Sequence, residues 1–311
     1  MNKEVLKDGF HWDLAWAVQA ACILEADAPK VGNVNRYHDF SDCSLEDFHL
    51  SALALGRPFG FMGRQGVGET IFQAISATRK HVDTNTNLGM VLLLAPLGMA
   101  WSLLREDPSF NRPDQVSLLE LWKQKLRLVL EGLTREDTDY VYRAIRLAAP
   151  AGMGEVREYD VLQDQFPEIT LLEVMKLAAE RDLIARQYSN NFDQVLDVGY
   201  PALQRFLDEH LSLPQAIAQT HLFLLSQYPD SLITRKLGPE WSGEVQKRAG
   251  AVWKRGGWRT ITGREFLLRF DRWLRKDGHR LNPGTTADLM AAIIFVLLLV
   301  KKWGDGEALM R

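Results

Sequence analysis

The sequence predicts an all-α protein, and three observations carry that expectation. Helix-start signals recur along the chain, and apolar residues repeat at helical spacing. Alternating apolar and polar runs bounded by turn pairs, the mark of strands, are essentially missing. Roughly ten to twelve helices of ordinary length would form one compact, interwoven domain over 1–311 rather than two lobes.

Near the N-terminus Cys22 sits in a helical pattern, as a small core residue would. Ser44–Asp47, Ser117–Glu120, Thr134–Asp137, Thr170–Glu173 and Thr262–Glu265 each read as a capping box. In such a box a hydroxyl accepts an N-terminal amide hydrogen and an acid three residues on returns the bond. Leu118, Leu121, Trp122, Leu126, Val129 and Leu130 share one face of the helix that follows Ser117, and Phe266, Leu267, Phe270, Trp273 and Leu274 share another. The stretch 105–117, with two prolines, reads as a surface connector. Asp182 falls inside a predicted helix, with Arg181 and Arg186 near it. Two apolar runs, Leu88–Trp101 and Leu289–Val300, are shorter than the roughly 20 residues that cross a bilayer. Buried core helices are the expected reading, and no membrane is expected as partner.

Composition bounds the function classes. Hydrophobic residues make up 46% and charged residues 25%, values of a globular protein with a substantial core. A net charge of −3 gives no general attraction to nucleic acid or to an anionic membrane. Two cysteines make no disulfide framework, and no signal-peptide pattern opens the chain, so a reducing cytoplasm is the expected setting. One stretch departs from the average. Residues 233–280 hold 13 Lys and Arg against 5 Asp and Glu, interleaved with Trp241, Trp253, Trp258 and Trp273. That excess suits a polyanionic small molecule or matching to the acidic remainder of the chain. Nucleic acid would require exposed aromatics within 233–280.

Three loops break the helical pattern with similar chemistry. In 25–40, Lys30, Gly32, Asn33 and Asn35 lead to Arg36, His38 and Asp39. In 83–89, Asp83, Thr84, Asn85, Thr86 and Asn87 stand at the head of an apolar helix that begins near Gly89. In 279–289, Asn282-Pro283-Gly284 makes a turn, and Thr285 or Thr286 can cap the last helix. Helix starts offer unpaired amides and partial positive charge, glycine permits close approach, and amide and hydroxyl side chains add neutral hydrogen bonds. Lys30 and Arg36 would bind phosphate, Asn85, Thr86 and Asn87 the rest of a donor. Asp39, Glu69 and Asp83 would hold Mg²⁺. Each of these residue types is also ordinary in caps and turns. "GRQGVGET", 63–70, lacks the Gly-Lys-Ser/Thr ending and a preceding strand, so it is no P-loop. No His/Cys spacing resembles a zinc site.

Taken in order, these segments resemble the triphosphoribosyl-dephospho-CoA synthase family, which serves the prosthetic group of citrate lyase and malonate decarboxylase. "LEADAPKVGNVNR" is similar to a family segment in which Leu-Glu runs into Pro-Lys-Pro-Gly-x-Val-Asp-Arg. "VGET" and "ATRKHVDTNTNLG" are similar to its Gly-x-Glu and Asn-Thr-His-Lys-Gly segments. "PAGMGEV", with Gly154 and Glu155, is similar to Gly-Ala-Arg-Gly-Glu, and "NPGTTADLMAAIIF", with Asp288, to Pro-Gly-x-x-Ala-Asp-Leu. The resemblance runs from about residue 14 to 298. It implies an all-α transferase in which a hydroxyl of dephospho-CoA attacks the anomeric carbon of ATP and adenine leaves. ATP or a related phosphoribosyl donor with Mg²⁺, and dephospho-CoA or another cofactor precursor, are the implied partners, and a homo-oligomer is left open. Gly154, Glu155, Asn282, Gly284 and Asp288 join the candidate binding residues on this ground. Glu69, Asp83 and Asp182 are the candidates for stabilising the ribosyl transition state. The departures are Val31, Asn35, Asn87, Leu88 and Met153, which remove a His, a Lys and an Arg from the family pattern. A non-catalytic helical binding or assembly protein is the alternative they suggest.

Overall fold

A computed structural model of the chain describes residues 9–107, 110, 114–150 and 168–303. Gly154 and Glu155, together with Met153, lie outside the described residues. Among the described residues fifteen α-helices follow one another, and no strand occurs beyond an isolated bridge between Asn35 and His38. They are α1 (Trp12–Asp27), α2 (Leu45–Ala54), α3 (Gly56–Gly60), α4 (Val67–Thr78), α5 (Leu88–Glu106), α6 (Gln115–Glu131), α7 (Arg135–Ala148) and α8 (Leu171–Ala178). Then come α9 (Leu183–Ser189), a π-helical turn (Gln194–Gly199), α10 (Tyr200–Asp208), α11 (Leu213–Gln227), α12 (Ser231–Leu237) and α13 (Pro239–Trp253). A 3₁₀ turn (Gly257–Arg259), α14 (Ile261–Leu274) and α15 (Gly284–Trp303) complete the series. The all-α expectation holds. The number exceeds the expected ten to twelve because short helices such as α3, α9 and α12 stand between the long ones.

The two apolar runs become the centre of the molecule. In α15 every residue from Leu289 to Val300 is buried, packed among α1, α5, α10 and α11. In α5 burial runs almost unbroken from Leu88 to Trp101, against α4, α6 and α15. Both helices have the length and composition of a membrane span, but most of their residues are buried inside the protein. Each fully buried Leu or Ile contributes about 1.5–3 kcal/mol. Pro96, inside α5, removes the amide hydrogen that would reach the Leu92 carbonyl one turn back. The Tyr188 hydroxyl donates to that carbonyl instead, at 2.6 Å. A smaller apolar cluster joins α11 to α14 with Val31, Ile233 and Leu281.

Caps define most of the helix starts. The boxes at Ser44, Thr134 and Thr170 form with both reciprocal bonds. Two expected boxes are displaced. Asp114 caps α6, accepting from the amides of Val116 and Ser117, so Ser117 lies in the first turn rather than before it. Thr260, not Thr262, caps α14 through the Gly263 amide, at 2.9 Å. In both cases a suitable side chain stands two or three residues upstream and opens the helix sooner. Asp182 is likewise not inside a helix: it is the N-cap of α9, accepting from Ile184 and Ala185. At the "VGET" start of α4, Gly68 packs directly on α7. Asp137 of α7 accepts from the Gly68 amide at 2.7 Å, and a Cβ on Gly68 would meet the Asp137 Cα at 2.5 Å.

Candidate active site

Helix starts from distant parts of the chain converge on one cavity of about 880 Å³. Leu88 and Gly89 open α5, Ile184 and Ala185 open α9, Ser231 and Leu232 open α12, and Gly284 and Thr285 open α15, and all line it. Asp230 stitches two of these starts together. Its Oδ1 accepts from the amides of Leu232 at 3.0 Å and Ile233 at 3.1 Å. Its Oδ2 accepts from the Thr286 amide and hydroxyl, both at 2.8 Å. The Ser231 hydroxyl donates to Thr285 at 3.0 Å and accepts from the Leu183 amide at 3.3 Å, which ties in α9.

Acidic groups gather where these helices meet. Glu25, Asp182 and Asp288 line the cavity, and Asp230 lies buried beside them. Burial pushes Asp288 well above the usual carboxylate range, and the charges of Glu25, Asp230 and Asp182 add to the effect while Arg235 opposes it. Glu25 is also raised by burial, although the Lys30 ammonium 2.9 Å away pulls it back. Asp230 is raised by burial in spite of its four hydrogen bonds. Ionised carboxylates repel one another and each disfavours the charge of the next. A site that keeps them together is arranged around a cation, a proton or developing positive charge.

The cavity's cations are Arg79, Arg181, Arg235 and Lys236. Arg235 sits 3.6 Å from Asp182, and the Lys236 ammonium donates to Asn282 at 3.1 Å, with burial lowering its pKa. Arg79 donates to the Val82 and Asp83 carbonyls. Arg235 and Lys236 come from the basic stretch singled out in the sequence. Sequence reasoning did not place these four at the site, because their facing depends on how α4, α8 and α12 pack. His279, 3.5 Å from Asp42 and stacked on Phe40 at 4.8 Å, borders the cavity mouth. From α7 and α8 the walls are apolar: Val141, Ile145, Val174, Met175 and Ala178 beside Tyr142.

Of the residues expected at the site, the structure brings Asn33, Asp83, Asn85, Thr86, Asn87, Gly89, Asp182, Asn282, Gly284 and Asp288 to the cavity. Several are also committed to the fold. Asn85 accepts from the Leu88 amide, the first of α5, at 3.1 Å. Thr86 hydrogen-bonds Ser51, and Asn87 donates to the Thr78 hydroxyl at 3.0 Å, both buried. Asn33 donates to the Val31 carbonyl and meets His221 Nε2 at 3.3 Å. Burial and the nearby Lys30 charge push His221 down to about 3.

The other candidates do not line the cavity. Lys30 is buried and turns back to Glu25. Arg36 pairs with Asp27 at 3.1 Å, and His38 is exposed, 4.0 Å from Asp271. Asn35 ties the loop by donating to the carbonyls of Lys30 and Asn33. Gly32, at φ +74°, gives its amide to Asp271 at 2.8 Å. Asp39 accepts from the Leu45 amide at 2.8 Å on the surface, and Glu69 lies in the first turn of α4. The expected Mg²⁺ ligands Asp39, Glu69 and Asp83 are therefore not brought together. Among the described residues no three His, Cys, Asp or Glu side chains form a group that could hold a metal ion.

Comparison with known proteins bears on what this cavity serves. A family described as ATP:dephospho-CoA triphosphoribosyl transferase matches residues 11–307. The chain belongs to this family. A Pseudomonas syringae pv. tomato protein named a probable 2-(5''-triphosphoribosyl)-3'-dephosphocoenzyme-A synthase is 25% identical, over 89% of this chain and 87% of that protein. A Pseudomonas putida protein of the same name is 32% identical, but the match covers only 35% of this chain and 39% of the relative. The crystal structure of an Archaeoglobus fulgidus protein, also named as a triphosphoribosyl-dephospho-CoA synthase, superposes with a TM-score of 0.58 at 26% identity. It covers 83% of this chain and 99% of that one. As a member of this family the chain is a transferase, and in it Asn87 is a neutral amide tied to Thr78 inside the protein. Among the four tryptophans of the basic stretch only Trp241 is exposed, whereas Trp253 packs on Phe206 and Phe223 and Trp273 lies under Arg248.

Proposed function

We propose that this transferase moves the triphosphoribosyl group of ATP, or of a related phosphoribosyl donor, to a hydroxyl of dephospho-CoA or a similar cofactor precursor, with release of the base. The observation that carries the reading is the make-up of the large cavity: clustered carboxylates, four cations and an apolar wall. Its volume of about 880 Å³ lies at the upper end of ordinary small-molecule sites, roughly 300–1,000 Å³. Arg79, Arg181, Arg235 and Lys236 supply charge-assisted hydrogen bonds for a triphosphate. Developing oxocarbenium charge at the sugar is favoured beside Asp288, Glu25 and Asp182. The apolar faces of α7 and α8 suit an extended, weakly polar acceptor arm. Mg²⁺ is assigned to the Mg·ATP substrate, because the expected carboxylates do not assemble into a site of their own. Both cysteines are free, and we place the reaction in the reducing cytoplasm.

The test is release of free adenine from Mg·ATP by the full chain. Release that depends on dephospho-CoA supports the assignment. ATP binding without adenine release, in folded protein and with several cofactor precursors offered, identifies a non-catalytic binder instead.

A further inference from the structure

We propose that Asp288 is the catalytic base of the transfer, taking the proton of the acceptor hydroxyl, and that Gly89 is the positioning residue that lets its carboxylate lie against the first turn of α5. This rests on the ribosyl-transfer reading above. Besides Asp42, which faces His279, and the exposed Asp83, both also on the cavity wall, four carboxylates gather where the helix starts converge, and three are engaged. Glu25 is paired with Lys30, Asp182 caps α9 and faces Arg235, and Asp230 holds the starts of α12 and α15. Asp288 lines the cavity and makes no hydrogen bond or ion pair within 4.0 Å among the described residues. Of these four it is the acid left free to exchange a proton with a ligand.

Its position is set by contact rather than by bonding. A Cβ on Gly89 would fall well inside contact distance of the Asp288 carboxylate, and close to Ile184 Cδ1 at 2.8 Å. Glycine at this second position of α5 therefore lets the carboxylate reach the helix backbone. A base works best when its proton affinity approaches that of the medium at working pH. Burial raises that affinity most, and the groups that face Asp288 adjust it: Glu25 and Cys22 from α1, Asp182 ahead of α9, Asp230 ahead of α12, and Arg235 within α12. The three carboxylates raise it and Arg235 lowers it. Once a donor triphosphate engages Arg235, the opposing charge is shared and Asp288 becomes the stronger base.

The step balances without another reactant. The hydroxyl proton passes to Asp288 as the new oxygen–anomeric carbon bond forms. The pair of the glycosidic carbon–nitrogen bond leaves with adenine, which takes one proton from water, and Asp288 returns its proton to water. The experiment measures kcat and KM for adenine release from Mg·ATP with dephospho-CoA, from pH 5 to 9, in wild type, Asp288→Asn, Asp288→Glu and Gly89→Ala. Asp288→Asn is expected to lower kcat about 100-fold or more with the KM for ATP little changed, and to abolish the acidic limb of the pH profile. Asp288→Glu restores part of kcat, and Gly89→Ala lowers kcat and moves the limb. Thermal denaturation verifies that each variant is folded. Retention of kcat within threefold in Asp288→Asn overturns the proposal, as does a defect expressed in the KM for ATP or rescued by raised Mg²⁺. Failure of wild type itself to release adenine overturns the transfer reading, and the proposal with it.

Discussion

Asp288 carries an energetic cost that can be measured apart from catalysis. Its folded-state pKa lies above the unfolded value, so the folded protein binds this proton more tightly. The protonated form adds stability below the unfolded pKa near 4, and that stability is lost as pH rises through the folded value. Asp288→Asn should therefore melt higher than wild type at pH 7.5, each relieved kcal/mol being worth roughly 2–4 °C, and the gap should close near pH 4. Equal melting temperatures at both pH values would refute this. Lys30 gives the opposite case. The sequence presents it as a loop cation beside Gly32, the ordinary setting of a phosphate ligand, and nothing local reveals that it folds back five residues to Glu25. Side chains of this pair are 1% and 2% exposed, so Lys30→Met strands a buried carboxylate and should cost about 3–5 kcal/mol in denaturant melts. Glu25→Gln added to Lys30→Met should recover most of the loss. Arg36 is illegible for the same reason, its partner Asp27 lying a loop away.

At the scale of elements, the capping chemistry is largely legible because it is local. Ser44, Thr134 and Thr170 form their boxes, while Ser117 and Thr262 lose the start to upstream Asp114 and Thr260. What the sequence hides is compensation between elements. Pro96 interrupts α5, and its partner is a tyrosine on α9 almost a hundred residues away. Tyr188→Phe keeps the ring and its packing but leaves the buried Leu92 carbonyl unsatisfied, which should cost about 1–3 kcal/mol in chemical denaturation. A loss below about 0.5 kcal/mol would show that the carbonyl finds another donor. The α4–α7 contact follows the same logic. Gly68 meets backbone, which cannot swing away as a side chain can, so Gly68→Ala should be more disruptive than an alanine in an exposed helix.

Across the whole molecule, helical periodicity and the two apolar runs are enough to specify the fold class and its central helices, because both follow from residue spacing alone. The cavity is readable only in part, since its walls come from α1, the 83–89 loop, α7, α8, α9, α12 and α15, and relative facing is a property of packing. The polar stretch ahead of α5 and the Asn282–Asp288 segment stand out by their density of amides and hydroxyls at helix starts. Arg235 and Lys236 are visible only as members of a diffuse basic excess, with no sign of which of its 13 cations face a ligand. That distinction yields a test. If the excess acts through general attraction, removing any two of its charges should weaken ATP binding alike. The structure makes it uneven, because Arg235 and Lys236 line the cavity whereas Lys247 and Lys254 border a separate shallow groove on α13. Arg235→Ala and Lys236→Ala should each raise the Kd for Mg·ATP about tenfold, equivalent to about 1.4 kcal/mol, as read by calorimetry at fixed ionic strength. Lys247→Ala with Lys254→Ala should leave it within about twofold, less than a typical exposed charge contact is worth. Equal weakening by both pairs would mean that the nucleotide senses the field of the protein and not the walls of this cavity.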